Sequence, residues 1–275
     1  MKISSTSALV LNWSDPNLYP GEKVNQYIKQ LDLSEGDALM KLLDEEQHFM
    51  HTQAISARKY FMWTNTCHFL ENCRQQNQTG QVIIMGAGIS PLSAALAEQY
   101  PEAKIFDIDL YSMEEKAACL SATFPQISFI KADLKNIAEW SDALNKNNFN
   151  AQEPSIIIFE GIVYYLPAKL LEELFAWSFH HQSTIIGDFV LPPASLHPAF
   201  QKFPDKVFEV IRTLLSLPPT AFYSRKEFID VLHKVGYQTI EINSLPQIHL
   251  NRTGHKAPFI EADAGWIECW NATAK

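Results

Sequence analysis

QVIIMGAGISPLSAALAEQYPEAKIFDIDL, residues 81–110, is the stretch that decides how the rest of this chain is read. It opens on an apolar run, 82–85, long enough for a buried strand and too short for a helix. Gly86-Ala87-Gly88 follows, a turn where backbone can approach a ligand closely because its two glycines lack a Cβ. Ser90-Pro91 joins a side-chain oxygen to a residue suited to the first helical position. A helix is therefore expected to about Tyr100, with Leu92, Ala95, Leu96 and Gln99 on one face. A second strand, 103–108, runs into two carboxylates, Asp107 and Asp109. Strand, glycine turn, helix, strand and acid together make a unit that holds a nucleoside. The helix N-terminus and glycine backbone serve one end, and a carboxylate serves the ribose hydroxyls at the other.

Two cofactors compete for such a unit. A dinucleotide site wants G-x-G-x-x-G, whose third glycine lets helix and strand pack closely; here Pro91 stands at that position. S-adenosylmethionine has no pyrophosphate and needs less of the glycine pattern, so the incomplete motif favours it. An acid about 20 residues on suits both. A nucleotide-free α/β turn is the bland alternative.

The remainder of the chain extends the same alternation. A helix is expected at 113–124, a strand at 127–130, a helix at 135–144 and an apolar strand at 155–159. A helix at 167–178 and a strand at 184–190 follow. Residues 237–242 and 265–270 read as two last strands, suited to an antiparallel pair with a loop between them. Ser224 to Glu227 reads as a capping box opening a helix that ends at Gly236. The expected fold is thus α/β, a doubly wound, mostly parallel seven-stranded sheet. Ahead of it, 1–20 reads as irregular, and helices at 35–50 and 53–74 form an N-terminal helical cap, 1–75, on a core at 76–275. Residues 191–219, bounded by Pro192-Pro193 and Pro218-Pro219, break the alternation and read as an inserted helical lid, with a helix-like run at 200–217.

Ligands in such sheets gather beyond the strand C-termini. Gly86, Gly88, Asp109, Asp133 and Glu160 all fall at those ends. Asp133-Leu134 can serve an adenine, the acid at its amino group and the leucine over its ring; a helix N-cap is the plain alternative. Arg58-Lys59 is either the solvated side of an amphipathic helix or an anion clamp.

Composition narrows the partners. With 22 basic and 31 acidic residues the net charge is −9, and no Lys/Arg cluster exceeds a pair, which argues against a nucleic-acid duplex as ligand. The four cysteines form no C-x-x-C pair, and no metal site is expected. Reduced thiols, no apparent signal segment and no apolar run of membrane-spanning length lead to the expectation of a cytoplasmic protein without a membrane partner.

Taken together, these motifs resemble the class I S-adenosylmethionine-dependent methyltransferases of the leucine carboxyl methyltransferase type, over roughly residues 50 to 240. The resemblance implies that Arg58 binds the methionine carboxylate and that Gly86, Ala87 and Gly88 form the cofactor turn. It places Asp107 and Asp109 in the acid-x-Asp pair of the cofactor site, with the later Asp at the ribose, Asp133 and Leu134 at the adenine, and Glu160 and Gly161 in the segment whose Glu lies near the methionyl amino group. Ser90-Pro91 departs from the family's usual Asp-Thr, and Lys59 and Trp63 stand where a Thr and an Asp are common. These differences bear on the substrate rather than the cofactor.

The implied chemistry is in-line methyl transfer, in which the protein positions and desolvates the reactants, with S-adenosylhomocysteine as the product. A small-molecule or peptide carboxylate would need a cation, for which Lys59 and Arg212 are candidates, and no base. A hydroxyl would need a base, for which His197 is the candidate. Tyr164 and Tyr165, just past Glu160, are expected to face the reacting methyl. N-methylation of an amine, a nicotinamide oxidoreductase and a non-catalytic nucleoside-binding module are the alternative functions.

Overall fold

The computed structural model describes residues 1, 3–215, 220–261 and 264–274. Among these, β1 (Gln81–Met85), β2 (Lys104–Asp109), β3 (Ile127–Lys131), β4 (Ser155–Phe159), β5 (Thr184–Val190), β6 (Thr239–Ser244) and β7 (Ile267–Thr273) form one sheet. Its order is β3-β2-β1-β4-β5-β7-β6. The first five strands pair in parallel, and β7 runs antiparallel to both of its neighbours, β5 and β6. This is the seven-stranded α/β arrangement expected of a class I methyltransferase, including the antiparallel last pair.

Period-two alternation of side chains explains why β1 and β4 are central. Val82, Ile84, Ile156 and Ile158 belong to one hydrophobic core. Ile83, Met85, Ile157 and Phe159 belong to the other. A strand apolar on both faces must be covered on both. The four N-terminal helices are α1 (Ser5–Asn12), α2 (Glu22–Ile28), α3 (Ser34–Met40) and α4 (Glu45–Gln75). They share the first core with α5 (Leu92–Gln99) and α6 (Met113–Leu120). The opposite face is covered by α7 (Ile137–Lys146) and α8 (Ala168–His180). The chain continues through α9 (Lys202–Leu215), α10 (Arg225–Val235) and α11 (Leu245–Thr253). Of these, α10 packs with the second core; α9 and α11 pack with the first. Helix α10 begins with the expected capping box at Ser224 and Glu227 and ends at Gly236 in a left-handed conformation.

Three segments differ from the sequence reading. Residues 1–20 are not irregular, since α1 lies within them, started by Ser4 Oγ accepting from the Ser7 amide. An eight-residue helix is marginal alone. It holds because α3 lies against it at Gly36, where a Cβ would sit 2.6 Å from the Ala8 carbonyl carbon. The expected pause between residues 50 and 53 is absent: the break falls earlier, where Asp44 caps α4 by accepting from the Gln47 amide at 2.8 Å, and α4 then runs 31 residues. The loop expected between the last strands contains α11, with Pro246 in its first turn and Gly254 at its left-handed C-cap. Arg252 of α11 reaches Asp15 and Gln53, each at 3.1 Å. These contacts between distant parts of the chain leave no periodic trace. Of the expected lid, 191–219, the helix-like run at 200–217 holds α9 in its described part; residues 216–219 lie outside the described residues.

Gly36→Val should push α1 off α3 at a cost of about 1–3 kcal/mol, as overpacking does. Hydrogen exchange should rise over residues 5–12 while β1 and β4 keep their protection.

Candidate functional site

The chain order reverses at β1, which has β2 on one side and β4 on the other. A cavity of about 620 Å³ opens beyond the strand ends at this switch point. Gly86 and Gly88 adopt left-handed φ of 67° and 46°, which bends the chain sharply out of β1. A Cβ at Gly86 would collide with Ile162, whereas one at Gly88 would meet only Ser7 Oγ, 3.8 Å away. Gly88 donates its amide to Asp109 Oδ2 at 2.9 Å, and Tyr111 donates to Oδ1 at 2.8 Å. The end of β2 therefore holds the glycine turn in place. Burial pushes the Asp109 carboxyl above its usual range, against these two amides. Each oxygen keeps a lone pair for a further donor.

Four buried charges meet at the next strand end. Arg58 and Lys59 of α4 are 3% and 2% exposed. Lys59 Nζ lies 2.9 Å from Glu160 Oε1, and Arg58 Nη2 lies 3.4 Å from the same oxygen. Arg58 Nη1 is 3.6 Å from Asp188 Oδ2 on β5 and donates to Tyr164 Oη at 3.3 Å. Asp188 Oδ1 in turn accepts from the Gly161 amide at 2.6 Å. Burial works against the charge of all four groups. For Arg58 it is outweighed by Asp188, Tyr164 and Glu160, which hold the guanidinium above its ordinary value. Lys59 stays below its ordinary value, because burial exceeds the pull of Glu160. Glu160 is lowered because Lys59 and Arg58 overcome burial, while burial drives Asp188 up to about 6 despite Arg58.

A further part of the lining is apolar and comes largely from the N-terminal helices and α9. Val10, Trp13, Ile55, Phe208, Ile211 and Trp266 make it up. His51 of α4 lies among them, 2% exposed, stacked on Trp13 at 4.7 Å and edge-on to Trp266 at 5.0 Å. Its Nε2 is fully buried, and the Phe203 backbone lies in reach of the ring. Burial lowers its pKa to about 3, so the ring is neutral at ordinary pH.

The cavity brings together Arg58, Lys59, Gly86, Ala87, Gly88, Asp109, Asp133, Leu134, Glu160, Gly161, Tyr164 and Tyr165. Asp133 is no helix N-cap; it accepts from the Lys135 amide at 2.9 Å, and Asn136 precedes α7. Asp107, His197 and Arg212 are not in the cavity wall. Asp107 is fully buried behind it, 2.7 Å from Lys116 Nζ and accepting from Ser93 Oγ at 2.7 Å. Side-chain alternation along β2 sends it to the opposite face from Ile108, toward α5 and α6. His197 is half-buried beside Phe200, and Arg212 is exposed in the last turn of α9. Lys59, a candidate for a substrate carboxylate, is already committed to Glu160. The sequence reading missed His51, Trp13 and Asp188. Only Asp188 carried a signal, as a lone acid inside the apolar run Ile185 to Val190.

Removing one partner strands a buried charge, so Asp188→Ala should destabilise the protein by about 3 kcal/mol in urea titration. His51 binds fewer protons folded than unfolded, because its folded value of about 3 lies below the 6.5 of a free histidine. The stability this contributes is complete above the unfolded value and is lost as pH falls toward 3. Asp188, raised to about 6, acts in the opposite sense over its own range. Comparison with His51→Phe isolates the histidine: the variant should gain roughly 2 kcal/mol on wild type between about pH 7 and pH 5.

Residues 24–179, more than half of the chain, match the family model described as leucine carboxyl methyltransferase. Proteins of Mycobacterium tuberculosis and Mycobacterium bovis described as candidate S-adenosyl-L-methionine-dependent methyltransferases are 29% identical over 147 residues. That match covers 50% of this chain and 44% of each relative, so the chain spans less than half of their length. Among solved structures, a duf574 family protein from Streptomyces avermitilis aligns with a TM-score of 0.63 at 15% identity, over 97% of this chain and 96% of its own. A candidate methyltransferase from Thermobifida fusca aligns with a TM-score of 0.58 at 13% identity, over 86% of each chain. Both show the shared fold. On the strength of the family match and the strand order, the chain belongs to the leucine carboxyl methyltransferase family.

Proposed function

We propose that this chain is an S-adenosylmethionine-dependent O-methyltransferase, acting in line on a carboxylate or hydroxyl oxygen of a small molecule or peptide. One observation carries the reading. The Gly88–Asp109 contact and the Arg58–Lys59–Glu160 cluster face one cavity from opposite sides of the β1/β4 switch point. Their separation into a hydroxyl-binding acid and an amino-acid-binding charge cluster suits a nucleoside joined to a methionine.

The residues present fit this cofactor. Arg58 retains a buried Nε without a partner, a donor for a carboxylate. Glu160 is held ionised by two cations and can accept from an ammonium. Asp109 has lone pairs for ribose hydroxyls, and Leu134, 7% exposed, offers an apolar face for adenine beside Asp133. The bound cofactor would supply an activated methyl on a positive sulfur, which leaves as a neutral thioether. Tyr164 and Tyr165, with ring centroids 4.6 Å apart, stand beside the charge cluster, where their faces can stabilise the methyl. Water exclusion falls to 1–75, acting as a helical cap on the 76–275 core, and to the 191–219 lid; both contribute cavity walls. In this reading the enzyme works in the cytoplasm and needs no metal, nucleic acid or membrane.

Calorimetry with S-adenosylhomocysteine should show binding, and NAD should show none. Asp109→Ala should weaken S-adenosylhomocysteine by about tenfold or more, as loss of buried hydrogen bonds to a charged group does. Unchanged affinity would remove Asp109 from the ribose role, and NAD binding alone would replace the methyltransferase reading with an oxidoreductase.

A further inference from the structure

We infer that Ser7 of α1 is a further cofactor-binding residue, and that the bound cofactor pins α1, with α3 behind it, onto the glycine turn. The inference rests on the cofactor reading proposed above. It adds a residue from a segment that the motifs of the nucleoside unit do not reach.

Position comes first. Ser4, Thr6 and Ser7, at the start of α1, line the same cavity as Gly86, Gly88 and Asp109. The Gly88 amide is taken by Asp109 Oδ2. Where a side chain on Gly88 would stand, the space is open within 4 Å except for Ser7 Oγ, 3.8 Å from the Cβ position. A ligand lying against the open side of this turn therefore has the Ser7 hydroxyl as its neighbour.

Hydrogen bonding leaves that hydroxyl available. Ser7 Oγ accepts from Ser4 Oγ at 2.9 Å, and Ser4 Oγ accepts from the Ser7 amide at 3.3 Å. The Ser4 hydroxyl is spent on starting the helix, whereas Ser7 keeps its own proton to donate. Among the described residues that proton meets no acceptor. S-adenosylmethionine offers oxygen acceptors at its ribose hydroxyls and at its carboxylate.

The ties of α1 explain why one more contact matters. The helix carries no charged residue. Its hydrogen bonds stay within the segment or go to α3: Ser5 Oγ donates to Glu35 at 2.7 Å and Asn12 Nδ2 to Asp37 at 2.8 Å. Past its C-terminus it is anchored to α4, where Ser56 Oγ donates to the Trp13 carbonyl at 3.3 Å. Toward the core it has the apolar packing of Ala8 and Leu9 and, among the described residues, no hydrogen bond to the sheet. An eight-residue helix held by non-directional packing opens at low free energy. A cofactor bridging Ser7 and Asp109 supplies the missing polar tie. Because it then binds the closed arrangement more tightly than the open one, its binding shifts α1 toward closure by the same factor.

The test uses the full chain with S-adenosylhomocysteine, in calorimetry and hydrogen exchange. In wild type, saturation should slow exchange over residues 5–12 and 34–40 together, by about fivefold or more. Ser7→Ala should weaken S-adenosylhomocysteine about fivefold, the net worth of one hydrogen bond, and reduce that protection by a similar factor. Exchange over 5–12 without ligand should match wild type, because Ser4 still caps the helix on the Ser7 amide. 5′-Methylthioadenosine keeps the ribose and lacks the amino-acid end. If Ser7→Ala weakens it too, Ser7 donates to a ribose oxygen; if not, Ser7 donates to the carboxylate. The inference is overturned if S-adenosylhomocysteine binds wild type without slowing exchange over 5–12, or if Ser7→Ala binds it as wild type does. Should Ser7→Ala fray α1 without ligand, Ser7→Thr decides: its hydroxyl should restore the affinity, and failure to restore it overturns the inference. Failure of wild type to bind S-adenosylhomocysteine is a separate outcome, which sinks the cofactor reading and this inference with it.

Discussion

The structure depends on a buried charge cluster that joins the N-terminal helices to the sheet. Arg58 and Lys59 descend from α4; Glu160 and Asp188 rise from the ends of β4 and β5. None can be removed singly at small cost, because each would leave an uncompensated charge in an apolar surround. Three of the four, Arg58, Lys59 and Glu160, also line the cavity, and Asp188 lies outside its wall, paired with Arg58. Groups that hold the N-terminal helices to the sheet are therefore also among the groups that line the cavity.

A second constraint governs the opposite end. The glycine turn leaves β1 through left-handed conformations and is tied to Asp109 by a single amide. Asp107, two residues earlier, is committed to Lys116 of α6 and Ser93 of α5. The two acids look equivalent in the sequence and take opposite roles. Residues two apart share one face of a strand, so the difference is one of position: Asp107 sits within β2 under its helices, whereas Asp109 stands at the strand's last position beside the turn. A buried lysine–aspartate pair anchors α6 beneath the site, and the exposed end of the same strand is left for a ligand.

Between these ends the N-terminal segment does more than cover. Ser7 of α1 approaches Gly88, and Trp13 stacks on His51 of α4. Helix α3 presses on α1 at Gly36, and α11 returns from the C-terminal part of the chain to pin α4 and the loop at Asp15. The apolar part of the cavity wall is thus a tertiary product of several short helices. Such helices are marginal alone and gain their stability from one another.

The sequence by itself determined the sheet: its strands, the glycine turn, the capping box of α10 and the antiparallel last pair. Each rests on local periodicity or turn chemistry, and these survive folding because both cores need apolar side chains on alternating positions. It also determined most of the strand-end lining of the cavity, since Gly86, Gly88, Asp109 and Glu160 come from strand ends whose direction follows from the fold class. What only the tertiary structure decided is the apolar, tryptophan-lined part of the cavity. His51, Trp13 and Trp266 lie far apart in the chain, and no spacing relates them. Lys59 looked free and is paired; His197 and Arg212 looked available and lie outside the cavity wall. Periodicity reports which residues are buried. It does not report what a buried side chain meets, because that depends on the packing of helices distant in sequence.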